Sequence, residues 1–243
     1  MQPVTPPGLV FDGRVLGPAG PILGPLRFAA GAGRWTCLLG PSGIGKSTLL
    51  HCFAGTAQGL RLDGTAGADD GGLLAGRVAL MAQADSLLPW LTAAENVTLG
   101  ARLRRQRPDP ARARDLLDWV GLGPLAARRP GALSGGQRQR VALARTLYED
   151  RPVILLDEPF SALDVATRTR MQDLAAALLA GRTVLHVTHD PAEAARLGDA
   201  IHMLTPGGLH PVPPPAAPAP RAPDAAGTLA ATGHLTRLLL EAV

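Results

Sequence analysis

The chain has 243 residues, enough for one large domain or for a domain with an inserted subdomain. Its hydrophobic fraction of 46% supports an ordinary packed core, and with aromatics at 3% that core must be filled by Leu, Val and Ala. The formal net charge is only +4 and no long basic run appears, so the abundance of Arg reads as coding bias rather than as a surface for nucleic acid. A small cluster, Arg102, Arg104, Arg105 and Arg107, reads as a solvated helix face rather than a partner or lipid-headgroup surface. Cys37 and Cys52 do not form a C-x-x-C pair and read as free thiols in a reducing compartment. The first residues carry neither the basic nor the apolar region of a signal peptide. No apolar run approaches the ~18–20 residues of a membrane helix, so the expectation is a cytosolic or peripheral protein. A role in transport would need another chain to cross the membrane.

Short apolar pieces at 9–11 and 26–29, separated by Gly/Pro turns, predict early strands. Residues 34–39 predict a buried strand. It leads into Gly40-Pro41-Ser42-Gly43-Ile44-Gly45-Lys46-Ser47-Thr48, which fits G-x-x-x-x-G-K-[S/T], the phosphate-binding loop. The glycines let the backbone turn its N–H groups inward as an anion nest at the start of a helix expected to run to about residue 54. Lys46 supplies a point charge for the outer phosphates and Ser47 a hydroxyl for Mg²⁺. Lys46 is the only lysine in the chain, although the composition strongly disfavours lysine. A compact ammonium stands where a guanidinium would not fit.

A short edge strand is expected at 60–63, a Gly/Asp loop at 69–76 and a buried strand at 78–82, followed by Gln83. After an apolar connection at 86–92, two helical stretches at 94–107 and 110–120 carry no strand signal. They predict a helical subdomain, about 89–145, inserted into an α/β core. Leu133-Ser134-Gly135-Gly136-Gln137 opens a helix to about residue 148. A serine and two glycines at a helix start make a second anion site, which a single nucleotide does not need. The economical explanation is a nucleotide held mainly by another copy of the protein. An apolar strand at 153–156 ends in Asp157, placed to hold Mg²⁺ through water, and Glu158, placed to orient or polarise the attacking water. A helix at 168–179, a strand at 183–187 ending at Thr188-His189, a helix from Asp190-Pro191 and a strand at 200–204 follow. This alternation predicts a largely parallel sheet with the site at its strand carboxyl ends. Residues 206–227, rich in Pro and Ala, read as an extended, poorly packed tail, and 234–243 as a possible terminal helix with Leu235, Leu238 and Leu239 on one face.

In this order and spacing the motifs resemble those of the ATP-binding subunit of an ABC transporter, over nearly the whole length to about residue 204. Residues 40–48 match the Walker A element, Gln83 the Q-loop, 133–137 the signature, and 153–157 the Walker B strand. Glu158 matches the catalytic glutamate, Ser161-Ala162-Leu163-Asp164 the D-loop, and His189 the switch histidine. The resemblance implies an α/β P-loop NTPase (RecA-like) core in residues 1–205, with an N-terminal antiparallel β portion and the inserted helical subdomain. It implies ATP and Mg²⁺ as ligands. It also implies two copies closing head to tail, so that Ser134 and Gly136 of one contact the γ-phosphate held by Lys46 of the other. Gln83 would sense Mg²⁺ and the water, His189 would hold the γ-phosphate, and Asp164 would couple the two sites.

One departure concerns adenine. The family usually places an aromatic before the first core strands, and residues 15–20 have none; Phe11 and Trp35 lie elsewhere. Leu16 or Val15 would supply an apolar contact, with stacking weaker by ~1 kcal/mol. The stretch from Gln83 through Trp90 to Asn96 is similar to importers of the nitrate, sulfonate, taurine and thiamine-precursor group. That similarity implies a permease dimer, a solute-binding protein, and a place on the cytoplasmic face of the plasma membrane, with Leu87, Leu88 and Trp90 either near the permease or packed as core. A soluble ABC ATPase acting on nucleic acid or the ribosome is the rival, and the length fits neither coiled-coil insertions nor a tandem arrangement. A GTPase is excluded because N-K-x-D would need a second lysine.

Overall fold

The computed structural model describes residues 5–242, so the readings that fall on residues 1–4 and on Val243 lie outside the described residues. The chain divides into two compact units. The first comprises residues 5–80, 152–157 and 180–242, and the second residues 81–151 and 158–179. The second therefore takes in Gln83 and the segment after Asp157, as well as the stretch expected as an insertion.

Two sheets build the first unit. Strands β1 (Leu9–Gly17), β2 (Gly20–Ala30) and β4 (Arg61–Ala68) form a three-stranded antiparallel sheet in the order β2-β1-β4. In β1, Leu9, Phe11 and Val15 point into the core while Asp12 and Arg14 point out, the alternation of a half-buried strand. Those outward residues pair across strands with Arg27 and Asp63; both pairs are well exposed and worth at most ~1 kcal/mol. β1 and β2 are one hairpin reversed at Pro18-Ala19, longer than the pieces expected at 9–11 and 26–29. β4 also runs well beyond the expected 60–63. It is an edge strand with half its residues exposed and only Ala68 buried, so it has no buried alternation to read. Gly13 and Gly64 face each other across β1 and β4, both at positive φ, and a Cβ on either would strike the facing backbone.

The second sheet has the order β5 (Val78–Met81), β6 (Val153–Asp157), β7 (Thr183–Thr188), β3 (Trp35–Leu39), β8 (Ala200–Thr205), β9 (Gly208–Val212). The pairings β6/β7, β7/β3 and β3/β8 are parallel, and β8/β9 is antiparallel. Every residue of β3, β6 and β7 is buried, as expected for parallel strands covered on both faces. Helix α1 (Lys46–Ala54) buries Leu49, Leu50 and Phe53 in the core, where Phe53 meets Phe11 and Phe28 at ring separations of 6.5 and 6.2 Å.

The segment expected as a poorly packed tail is instead part of this unit. It supplies β9 and then α8 (Ala226–Glu241), which packs on α7 (Pro191–Leu197) and begins eight residues before the expected 234. Arg221 anchors the connection. It is buried, and its guanidinium donates to Ala195 O and Gly198 O at 2.9 Å each and to Ala217 O at 2.6 Å. A Pro/Ala-rich composition signals disorder unless a single side chain ties it down, and here one arginine does.

The second unit is helical: α2 (Ala93–Val97), α3 (Leu99–Leu103), α4 (Pro110–Trp119), α5 (Gly135–Tyr148) and α6 (Val165–Leu178). The single helix expected at 94–107 is broken after Val97. There the Thr98 hydroxyl bonds back to Ala94 O and Glu95 O, and the chain restarts as α3. Asn96, fully buried, ties down the apolar connection: its Oδ1 accepts from Leu88 N–H, and its Nδ2 donates to Leu88, Leu91 and Thr92 carbonyls. α6 begins at Val165, earlier than the expected 168, because Asp164 caps it.

Candidate functional site

In the first unit β3 ends at Leu39 and the loop from Gly40 to Gly45 delivers the chain to α1. Gly43 (φ 80°) and Gly45 (φ 102°) hold left-handed backbone that a side chain would strain, and a Cβ on Gly40 would strike Leu204 O. Gly45 caps α1 without a side-chain bond, leaving the first-turn amides without an intrahelical acceptor. Lys46 is only 5% exposed and curls over the loop, donating from Nζ to Gly40 O and Pro41 O at 2.7 Å each. Ser42 is exposed, Ile44 packs on the core, and Thr48 is half-buried.

Asp157 ends β6 at 3% exposure and accepts a 3.1 Å hydrogen bond from the Ser47 hydroxyl. A hydroxyl and a carboxylate converging this way form the hard-oxygen donor set that suits Mg²⁺. With the loop amides and Lys46 beside them, the residues present fit a magnesium nucleotide. His189 follows β7 and is exposed. Of the two candidate contacts for adenine, Val15 is fully buried in the core cluster and cannot serve; Leu16 stays half-exposed. Phe11 and Trp35 are buried as well.

In the second unit Glu158 is half-buried with φ 49°, a rare conformation for a residue with a side chain. Its Oε2 accepts from Gln83 Nε2 at 3.2 Å, joining two of the expected site residues. Gln139, which the sequence reading did not single out, holds the turn. Its Nε2 donates to Glu158 O at 3.0 Å and Ser161 Oγ at 3.2 Å, and its Oε1 accepts from Ala162 N–H at 3.0 Å. The available signal was a polar residue on the packed face of α5, five positions after Ser134.

Ser134 is the N-cap of α5. Its Oγ accepts from Gln137 N–H at 3.3 Å, and Gln137 Oε1 accepts from Ser134 N–H at 2.8 Å, a reciprocal capping box. The Gln137 side chain is thus engaged by the cap, while Gly135 and Gly136 present the first-turn amides. Gly136 packs against Ala162 O and Leu163, with little room for a Cβ. The Asp164 carboxylate accepts from Thr167 N–H at 3.0 Å, and that bond holds its carboxyl below the usual carboxylate range.

Two further links join the loop after Gln83 to α5. Arg138 pairs with Asp85 at 2.8 Å, and Arg145 donates to the carbonyls of Ser86 and Asp85 at 2.9 and 2.7 Å. Within the apolar connection Leu87 is buried while Trp90 is 63% exposed.

Residues 23–161 match the family model described as ABC transporter. The chain is 47% identical over 181 residues, 73% of its own length and 70% of the relative's, to the aliphatic sulfonates import ATP-binding protein SsuB 1 of Rhodococcus jostii (strain RHA1). It is 43% identical over 197 residues to the Fe(3+) ions import ATP-binding protein FbpC 2 of the same strain, covering 77% of this chain and 56% of that one. Among solved structures it is similar to the dimeric structure of MJ0796, a bacterial ABC transporter cassette, with TM-score 0.70 and 29% identity over 80% of this chain and 93% of that one. It is also similar to a bacterial Atm1-family ABC exporter with ATP bound, at TM-score 0.70 and 28% identity, covering 86% of this chain and 39% of that longer one. Phosphate loop, signature helix and paired acids, together with this match over more than half its length, make the chain a member of the ABC transporter family.

Proposed function

We propose that the chain is the ATP-binding and ATP-hydrolysing subunit of an importer for a small solute. The carrying observation is that two consecutive acids have different surroundings: Asp157 is buried on Ser47, and Glu158 is half-exposed on Gln83. Neighbouring carboxylates in unlike environments take unlike roles. Asp157 and Ser47 hold Mg²⁺, which when bound neutralises charge on the phosphate oxygens. The loop amides and Lys46 bind the phosphates. Glu158 accepts a proton from the attacking water, with Gln83 orienting its carboxylate, and His189 donates to the γ-phosphate.

Ser134, Gly135 and Gly136 offer a second set of amide and hydroxyl donors on a different unit from the phosphate loop. In this reading a second copy of the chain presents that set to the nucleotide, and Asp164 lies on the segment that couples the two copies. The solved cassette noted above is itself dimeric. Closure of the pair drives a separate permease, served by a solute-binding protein, from the cytoplasmic face of the membrane. No described helix is long and apolar enough to cross a membrane. Two of the relatives are named for import of aliphatic sulfonates and of Fe(3+), and in this reading the permease and the solute-binding protein set the solute.

Glu158→Gln is the test. The variant is expected to bind ATP as tightly as the parent, hydrolyse it far more slowly, and accumulate as a dimer in ATP by size-exclusion chromatography. Unchanged steady-state hydrolysis would remove Glu158 from its role.

A further inference from the structure

Behind His189 lies a buried polar chain that the phosphate-site motifs do not include. Glu193, in the first turn of α7, is 3% exposed, and Thr188, at the end of β7, is equally enclosed. The Thr188 hydroxyl donates to Glu193 Oε2 at 2.8 Å and accepts from Asp190 N–H at 3.0 Å. Residues 188 and 190 flank His189, so one hydroxyl pins the backbone on both sides of it. The Asp190 carboxylate in turn accepts from Ala192 N–H at 2.8 Å, capping α7.

A buried imidazole also lies beside Glu193. His186, fully buried on β7, places Nε2 3.3 Å from the same Oε2. Trp35 of β3 donates from its indole N–H to His186 Nδ1 at 3.4 Å. The His186 ring thus packs beside the Glu193 carboxylate, while Trp35 engages its other nitrogen. The hydrogen bonds run from Trp35 to His186, from Thr188 to Glu193 and from Asp190 N–H to Thr188. A buried carboxylate is costly unless it is bonded, and an alanine or leucine would fill the helix face at less cost.

We infer that Glu193 is a positioning residue for hydrolysis: through Thr188 it fixes the turn that presents His189 to the γ-phosphate. This rests on the reading of His189 given above. Glu193→Leu keeps much of the side-chain bulk but removes the oxygen that accepts from the Thr188 hydroxyl.

Hydrolysis is measured under single-turnover conditions with enzyme in excess, so that slow variants are still read, and nucleotide affinity is measured separately. Glu193→Leu is expected to lower the hydrolysis rate about 10-fold while ATP affinity stays within about 2-fold. Thr188→Val is expected to do the same, and Thr188→Ser, which keeps the hydroxyl, to recover most of the loss. In a His189→Ala background Glu193→Leu is expected to add little, because both changes remove one function. Equal losses in the two backgrounds, or loss of ATP affinity alongside the rate, would make Glu193 merely structural and overturn the inference. A rate unchanged by Glu193→Leu, when His189→Ala is slow, would overturn it alone. An unimpaired His189→Ala would overturn the reading of His189 as well.

Discussion

Replacing Gln139 with leucine tests how the site is held in shape. Gln139 makes three hydrogen bonds to the turn from Glu158 to Ala162, at 3.0, 3.2 and 3.0 Å. At about 0.5–1.5 kcal/mol net for each, the support amounts to roughly 2–4 kcal/mol. Glu158 sits at φ 49°, which costs a residue with a side chain on the order of 1–2 kcal/mol. The support exceeds the strain, and without it the turn relaxes. Leucine is close in size, so the apolar packing of α5 is largely kept. If the released strain of about 1–2 kcal/mol must be restored before Glu158 can act, hydrolysis falls roughly 5–30-fold. ATP affinity should change little, because Lys46 and Ser47 keep their own partners. Phosphate release at saturating ATP gives kcat, and a fluorescence titration gives the nucleotide Kd. A variant that melts earlier yet hydrolyses within 2-fold of the parent would show that Gln139 only packs α5, and the argument from Glu158 strain would fail.

Asn96→Leu removes four hydrogen bonds at a fully buried position and should lower unfolding stability by about 2–4 kcal/mol in urea titration; a loss under about 0.5 kcal/mol would refute the clamp. Burial pushes the Cys37 thiol well above its ordinary range, so native protein should leave Cys37 unmodified by iodoacetamide, as peptide mass spectrometry would read, until the chain is unfolded. Burial against Phe28 lowers the His202 pKa, so the unfolded chain binds the extra proton first. Stability should therefore rise with pH up to about 6.5 and decline below it, and His202→Gln should flatten that slope between pH 5 and 7.5; an unchanged slope would assign it elsewhere.

The candidate site residues were more legible in the sequence than the frame around them. Lys46, Ser47, Asp157 and Glu158 were legible because phosphate and metal chemistry demands particular residue types at short spacing, beside strands whose apolar runs are unmistakable. Ser134 was legible as a helix start, and its capping box with Gln137 follows the same local rule. Features that depend on distant partners were hidden. β4 is an edge strand built around Gly64 and Gly67, and nothing local distinguishes it from loop. Arg221 converts a Pro/Ala stretch into packed structure through carbonyls more than twenty residues away. The break at Thr98 turns on a hydroxyl bonding backward, which periodicity does not register. Gln139 and Glu193 look like ordinary polar helix residues until their partners are known.

The solitary lysine has a practical consequence. Every other long cationic side chain is a guanidinium, which does not react with acylating reagents under mild conditions, so the chain carries one ε-amine and it lies in the phosphate loop. An amine-directed reagent that opens or enters that loop marks a single side chain. Its rate, followed with and without nucleotide, reads occupancy of the loop in the unaltered protein, with no engineered probe.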